Sequence, residues 1–78
     1  MNKFKIKLDS VEKVKRFCNE TFKLDFELDL HSGKYIVDGK SIMGIFSLDL
    51  SKVIEVVVHC DNTEKINKFK ESIKEYMV

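Results

Sequence analysis

The chain has 78 residues, of which 44% are hydrophobic and 35% are charged, so residues 1–78 are expected to form one domain around a single core. Its 14 Lys and Arg residues nearly balance 13 Asp and Glu residues, giving a net charge of +1, whereas nucleic-acid-binding domains of this size usually have a clear basic excess. No apolar run approaches the ~18 residues of a membrane span, and no signal-peptide segment follows Met1-Asn2-Lys3. We therefore expect a soluble, intracellular monomer that neither binds nucleic acid nor inserts into a membrane.

The first predicted elements are a strand and a helix. Residues 3–8 alternate lysine with an apolar residue, which is typical of a half-buried strand. Asp9 or Ser10 offers an N-cap for a three-turn amphipathic helix over residues 11–22. The apolar residues expected to form the buried stripe of this helix are Val11, Val14, Cys18 and Phe22.

A hairpin is predicted next. Residues 24–30 place Leu and Phe side chains on one face of a strand and Asp and Glu side chains on the other. Residues 31–34, with the sequence His-Ser-Gly-Lys, have the composition of a turn. The returning strand is Tyr35-Ile36-Val37, and Gly39 ends it.

The second half of the chain predicts a short helix, a strand and a last helix. Ser41 can cap a short apolar helix over residues 42–46. Residues 53–60 are rich in β-branched side chains and predict a strand. A polar residue among residues 61–63 can cap the last helix. The residues expected to form its buried stripe are Ile66, Phe69, Ile73 and Met77.

The element order is therefore β-α-β-β-α-β-α. Strands with one polar face predict an α+β fold of two layers, in which an antiparallel sheet is covered on one face by helices. The other face should be lined by the lysines of the first strand and the carboxylates of the second. A ferredoxin-like sheet shares most of this element order, so the elements alone leave the strand order open.

Two patterns that suggest ligand binding do not meet the requirements of the sites they resemble. Gly39-Lys40-Ser41 suggests a phosphate loop, but five residues rather than four separate Gly33 from Gly39, and a predicted strand occupies that interval. Four residues are of types that bind zinc, but no pair of them has the spacing of zinc ligands. They are Cys18, His31, His59 and Cys60. We expect no metal and no other cofactor.

The cysteines and histidines also give no sign of catalysis. Cys18 and Cys60 are too few for a disulfide framework, so we expect reduced thiols that pack as small apolar residues. His31 is expected at a hairpin turn and His59 on the solvated face at a strand end, and neither has an obvious partner that would make it a nucleophile or a base. The sequence therefore predicts no catalytic residues and a protein that is not an enzyme.

The short helix after Ser41 is the most informative segment. Ser41 is either a helix cap alone or a cap that also accepts a phosphate. Ile42, Met43, Ile45 and Phe46 are more apolar side chains than one short helix can bury, which predicts an exposed contact patch. The alternative is that Met43 and Phe46 are packed under the last helix.

Residues 40–48, with the sequence KSIMGIFSL, closely resemble the second-helix segment of HPr, the histidine-containing phosphocarrier protein of the bacterial sugar phosphotransferase system. The element order, the length and Asp9-Ser10 after the first strand agree with that family. The resemblance implies an open-faced β-sandwich with sheet order 1-4-2-3, a cytoplasmic location, a role in bacterial sugar transport or its regulation, and protein partners. Those partners would be components of the phosphotransferase system or a serine kinase.

The chain departs from the HPr pattern at the active site. HPr carries its phosphoryl group on a histidine at the start of the first helix, within Gly-x-His-x-Arg-Pro, whereas residues 10–16 contain no His, Gly or Pro. We therefore expect a non-catalytic regulatory or protein-binding module. The alternative is a working phosphocarrier that uses another residue.

The resemblance also assigns site residues. Ser41 matches the regulatory serine that a dedicated kinase phosphorylates in some HPr proteins. The partner-binding surface would comprise Ile42, Met43 and Phe46 on the second helix. Positive charge near the family's active site is kept, and the residues are Lys13, Lys15 and Arg16.

Overall fold

The computed structural model describes residues 2–78, and in that range the chain forms four strands and three helices. The strands are β1 (Lys3–Ile6), β2 (Glu27–Ser32), β3 (Tyr35–Asp38) and β4 (Ile54–His59). The helices are α1 (Val11–Thr21), α2 (Ile42–Phe46) and α3 (Thr63–Ser72), and a 3-10 turn follows at Lys74–Tyr76. The sheet order is β1-β4-β2-β3 and every pairing is antiparallel. The α+β architecture with sheet order 1-4-2-3 is therefore confirmed.

The sheet has one buried and one open face. Alternate residues of β1, β2 and β4 point into the core, and they are Phe4, Ile6, Leu28, Leu30, Ile54, Val56 and Val58. The three helices contribute buried residues to the same core, so they cover the same face. The open face carries lysines on β1 and carboxylates on β2, as the alternation predicts.

Aromatic contacts centred on Phe69 join both layers. The ring of Phe69, on α3, lies 6.0 Å from that of Phe4 on β1 and 6.3 Å from that of Phe26, both edge-on. A tilted contact at 6.2 Å joins Phe69 to Phe17 on α1. Edge-on aromatic pairs add to the stabilisation that comes from burial alone. Phe69 therefore ties α1 and α3 to the sheet.

The buried stripe predicted for α1 is wrong at its two ends. The buried residues of α1 are Val14, Phe17, Cys18 and Thr21. Val11 is exposed, and Phe22 is 61% exposed at the C-cap position. The side of α1 that faces the sheet includes Phe17, which the predicted stripe lacked. Val11 and Phe22 lie at the margin of that side and at the ends of the helix, where the second layer does not cover them. Ser10, rather than Asp9, caps the helix by accepting a hydrogen bond from Lys13 N–H at 3.1 Å.

The predicted turn at residues 31–34 is too long. His31 and Ser32 belong to β2, and the turn consists of Gly33 and Lys34 alone. Gly33 has a φ of +60°, a conformation that favours glycine. β2 also begins later than predicted, at Glu27.

The end of the chain differs from the predicted long helix. α3, capped by Asn62, ends at Ser72, and Met77 forms an antiparallel bridge with Ile6. Lys7 N–H donates to the Tyr76 carbonyl at 2.8 Å, and Val78 N–H donates to the Lys5 carbonyl at 3.1 Å. We call residues 76–78 the C-terminal segment. It follows the outer edge of β1, which is the reason that the helix does not continue.

The thiols are free and differ in burial. Cys18 is buried, and burial raises the pKa of its thiol. Cys60, predicted on β4 and in the core, lies just after that strand and is only partly buried against the core.

Replacing Phe69 by Ala should lower the free energy of unfolding by about 3–5 kcal/mol, because a buried aromatic side chain is lost and a cavity remains. The matched control is Phe22→Ala, which removes an exposed ring and should change the stability by no more than about 0.5 kcal/mol. Urea denaturation followed by circular dichroism measures both. Equal losses for the two variants would contradict the assignment of Phe69 to the centre of the core.

Candidate functional site

The candidate site is built on α2, which starts at Ser41. The Ser41 hydroxyl oxygen accepts a hydrogen bond from Gly44 N–H at 3.1 Å, so Ser41 is the N-cap. Its own backbone N–H donates to the Asp38 carbonyl at 3.0 Å. These two bonds fix the start of α2 to the end of β3.

Gly44 lets α2 lie tightly against β3. A Cβ atom on Gly44 would lie 3.2 Å from the Ser41 hydroxyl oxygen and 3.3 Å from the Val37 Cβ atom, both closer than usual contacts. Ile45, the next residue, is fully buried in the core. The short helix is therefore anchored on one side.

The other side of α2 is open. Met43 is 77% exposed, Phe46 is 36% exposed and Ile42 is half-buried. We call these three residues the α2 surface. The structure thus places Met43 and Phe46 at the surface rather than under α3. Large apolar side chains grouped at a protein surface are typical of binding sites.

The three basic residues assigned to the site lie on α1, which packs beside α2. Lys13 forms an ion pair of 2.8 Å with Asp9, and its hydrogen bond holds the pKa of the Asp9 carboxyl below its usual value. Lys15 and Arg16 are exposed. Burial raises the pKa of Tyr76, and the nearby Arg16 guanidinium opposes that rise. Among residues 2–78, no hydrogen bond or ion pair joins the basic residues to Ser41.

Both histidines lie on the open face of the sheet, away from α1 and α2. His31 pairs with Ile36 in the middle of the β2–β3 ladder. His59, at the end of β4, is exposed, and its Nε2 atom lies 2.7 Å from Asp29 Oδ2. The expectation that His59 has no partner is therefore wrong. The β2–β4 register, which pairs Val57 with Asp29, places His59 two residues further along on the same face.

The first turn of α1 carries no side chain that could accept a phosphoryl group as a histidine does. Its residues are Val11, Glu12 and Lys13, and the hydroxyl of the preceding Ser10 accepts the capping hydrogen bond. Within residues 2–78, no group of three His, Cys, Asp or Glu side chains is arranged to hold a metal ion. None of the helices in that range is long and apolar enough to cross a membrane.

Comparison with known proteins identifies the fold. Neither a protein-family model nor a curated protein sequence matches the chain. Among solved structures, HPr-C-His from Thermoanaerobacter tengcongensis superposes with a TM-score of 0.76 at 23% identity, covering 96% of this chain and 93% of that one. Crh, a catabolite-repression protein of Bacillus subtilis described as an intertwined dimer with a swapped domain, gives a TM-score of 0.65 at 21% identity, covering 95% and 87%. The chain therefore has an HPr-like fold over nearly its whole length.

Replacing Ser41 by Ala should lower the free energy of unfolding by about 0.5–2 kcal/mol, because the Gly44 N–H loses its acceptor. Ser41→Asp keeps an acceptor at the cap position and should retain most of that stability. Thermal and urea denaturation of the two variants test this. A loss in Ser41→Asp as large as that in Ser41→Ala would show that Ser41 does not act through the cap.

Proposed function

We propose that the chain is an HPr-like protein-binding module that regulates a partner and does not carry a phosphoryl group. The observation that carries this proposal is the α2 surface, where Met43 is largely exposed on a helix that the core and the Ser41 cap hold in place. Its partners would be proteins of the sugar phosphotransferase system or a serine kinase that recognises HPr. Its location would be cytoplasmic, and it would have no enzymatic activity of its own.

The position of the histidines supports the absence of phosphoryl transfer. A phosphoryl carrier needs a nucleophile that is presented on the same surface as its binding residues. The α2 surface and the start of α1 lie on the helical side of the molecule, whereas His31 and His59 lie on the open sheet face. A partner bound to α2 would therefore not reach either imidazole.

The second candidate function is a phosphocarrier that uses His59. The 2.7 Å contact with Asp29 favours it, because a carboxylate that orients an imidazole is one element of an activated histidine. The surroundings disfavour it. Glu27 is directly opposite His59 across the β2–β4 ladder, and carboxylates on both Glu27 and Asp29 would repel a phosphoryl group.

Ser41 is the proposed regulatory position. Its side chain is half-buried at the start of α2, beside the α2 surface. A phosphate there would add about 1.5–2 negative charges. That charge would change the affinity of an apolar partner for Met43 without requiring the fold to change.

Met43→Ser should weaken binding to the partner protein by about tenfold or more, because truncation of a central apolar side chain at an interface costs more than about 1 kcal/mol. The probes are the first enzyme of the phosphotransferase system and the HPr serine kinase, titrated calorimetrically. The matched control is Phe22→Ser, an exposed aromatic residue at the far end of α1, which should bind as the wild type does. Failure of the wild type to bind either protein would contradict the partner class, and equal losses in both variants would contradict the site.

Incubation with phosphoenolpyruvate and that first enzyme should leave the intact mass of the protein unchanged, because the start of α1 has no histidine. The positive control is an authentic HPr in the same reaction. An acid-labile gain of one phosphate that disappears in His59→Ala would establish the second candidate function instead. The same gain in His59→Ala but not in His31→Ala would assign it to His31.

A further inference from the structure

The two edges of the sheet differ in whether another segment of the chain bonds to them. The outer edge of β1 is followed by the C-terminal segment, which bonds to Lys5 and Lys7. β3 forms the opposite edge and pairs with β2. Sheet edges with unpaired backbone groups are templates for another strand, and proteins usually cover or interrupt them. Within residues 2–78, β3 has no strand on its outer side.

The backbone of β3 presents hydrogen-bonding groups outwards at Ile36. Gly39 N–H donates to the Leu28 carbonyl at 2.8 Å, so this pair, which continues the β2–β3 register, is hydrogen-bonded. Hydrogen-bonded pairs alternate with non-bonded pairs in an antiparallel ladder. Val37 and Tyr35 therefore bond to β2, and the N–H and C=O of Ile36 face away from the sheet. The outward carbonyl of Asp38 is already used by Ser41 N–H.

The side chains of this edge are exposed and apolar. Tyr35 is 71% exposed and Ile36 is 63% exposed, although both lie in a regular strand. The edge contains no proline, and no charged residue lies between Lys34 and Asp38. The features that usually prevent edge pairing are therefore missing from the middle of β3.

We propose that β3 pairs with β3 of a second copy of this chain, antiparallel and about a two-fold axis at Ile36. The segment Lys34-Tyr35-Ile36-Val37-Asp38 is self-complementary in that arrangement. Ile36 lies opposite Ile36 of the second copy, Tyr35 opposite Val37, and Lys34 opposite Asp38. The two Ile36 residues exchange two backbone hydrogen bonds through the groups that face outwards, and the two sheets become one.

Each pair in this register is favourable. Aromatic and β-branched side chains stabilise each other across antiparallel strands, as do opposite charges. One carboxylate oxygen of Asp38 accepts from Lys40 N–H at 2.9 Å, which fixes the side chain and leaves the second oxygen for a lysine. A two-fold axis repeats both the charge pair and the Tyr35–Val37 pair, so each of these contacts occurs twice, on either side of the central Ile36 pair. An unrelated strand would match this pattern only by chance, which is why the second copy is the occupant.

The dimer should be weak. A single strand pair buries less than the ~1,200 Å² at the lower limit of stable interfaces. The monomer expected from the sequence is therefore the main species at low concentration, and the dimer forms as the concentration rises.

Sedimentation velocity from about 10 µM to about 1 mM tests the proposal. The wild type should shift from monomer to dimer over this range and return rapidly to monomer on dilution. Ile36→Lys places two like charges on the axis and should raise the dissociation constant by at least about tenfold. Ile36→Pro removes the outward N–H without removing a bond to β2 and should have the same effect. The matched control is Phe22→Lys, which changes a similarly exposed apolar residue at the C-cap of α1, outside the α2 surface, and should dimerise as the wild type does.

A charge-swap experiment tests the register. Lys34→Asp alone and Asp38→Lys alone each place like charges opposite each other and should remain monomeric. An equimolar mixture of the two variants restores both opposite-charge pairs and should form a heterodimer. Circular dichroism confirms that each variant is folded.

Three results would overturn the proposal. The wild type could stay monomeric at about 1 mM. Alternatively, the dimer could persist in Ile36→Lys, or Phe22→Lys could abolish it, which would place the interface elsewhere. A dimer that dissociates only over hours and is insensitive to Ile36→Lys would be a swapped dimer of the kind described for Crh.

Discussion

β1 and β2 present apolar side chains to one face of the sheet and polar side chains to the other, so helices can cover only one face. β2 alternates buried Leu28 and Leu30 with Glu27 and Asp29, and along β4 fully buried residues alternate with more exposed ones. The helices must then supply the apolar surface that completes the core, and Phe69 does so by contacting three other aromatic rings. The alternation of side chains along β2 and β4 also places both histidines on the uncovered face. It therefore separates the imidazoles from the surface that α1 and α2 form.

α2 depends on its surroundings more than any other element. Isolated helices shorter than ~12 residues are marginal in water, and α2 has only 5 residues. It forms because the Ser41 hydroxyl accepts from Gly44 N–H, because Gly44 permits a close approach to β3, and because Ile45 enters the core. Met43 and Phe46 then project outwards from a fixed backbone. Residues that are already ordered lose less conformational entropy on binding, so such a surface suits a protein partner.

Local patterns in the sequence predict most of the fold. The bounds of α2 and its cap at Ser41 follow from a few adjacent residues, and β1 and β4 follow from alternation and β-branched content. The cap of α1 was open between Asp9 and Ser10. The strand order came from the resemblance to HPr, because element order alone allows another arrangement. Counting apolar residues on a short helix predicted an exposed patch but left open whether Met43 and Phe46 pack under α3, and the structure places both at the surface.

What the sequence could not predict depends on contacts between distant segments. The buried sector of α1 is set by where the sheet lies, so Phe17 replaces Val11 and Phe22. The pair formed by His59 and Asp29 requires the β2–β4 register, which joins residues 30 positions apart. The C-terminal segment leaves the helical path because it bonds to the edge of β1. The sequence alone therefore does not show which edge of the sheet is covered.

We expect the α2 surface to be formed before any partner binds. Amide hydrogen exchange of Gly44 and Ile45, followed by NMR on the free protein, tests it most directly. If the cap and the core hold α2, both amides should exchange at least about tenfold more slowly than in an unstructured peptide, because opening the helix would cost more than about 1.4 kcal/mol. Exchange of both amides at the unstructured rate, while Val56 in β4 stays protected, would contradict the claim, because α2 would then be ordered only by its partner.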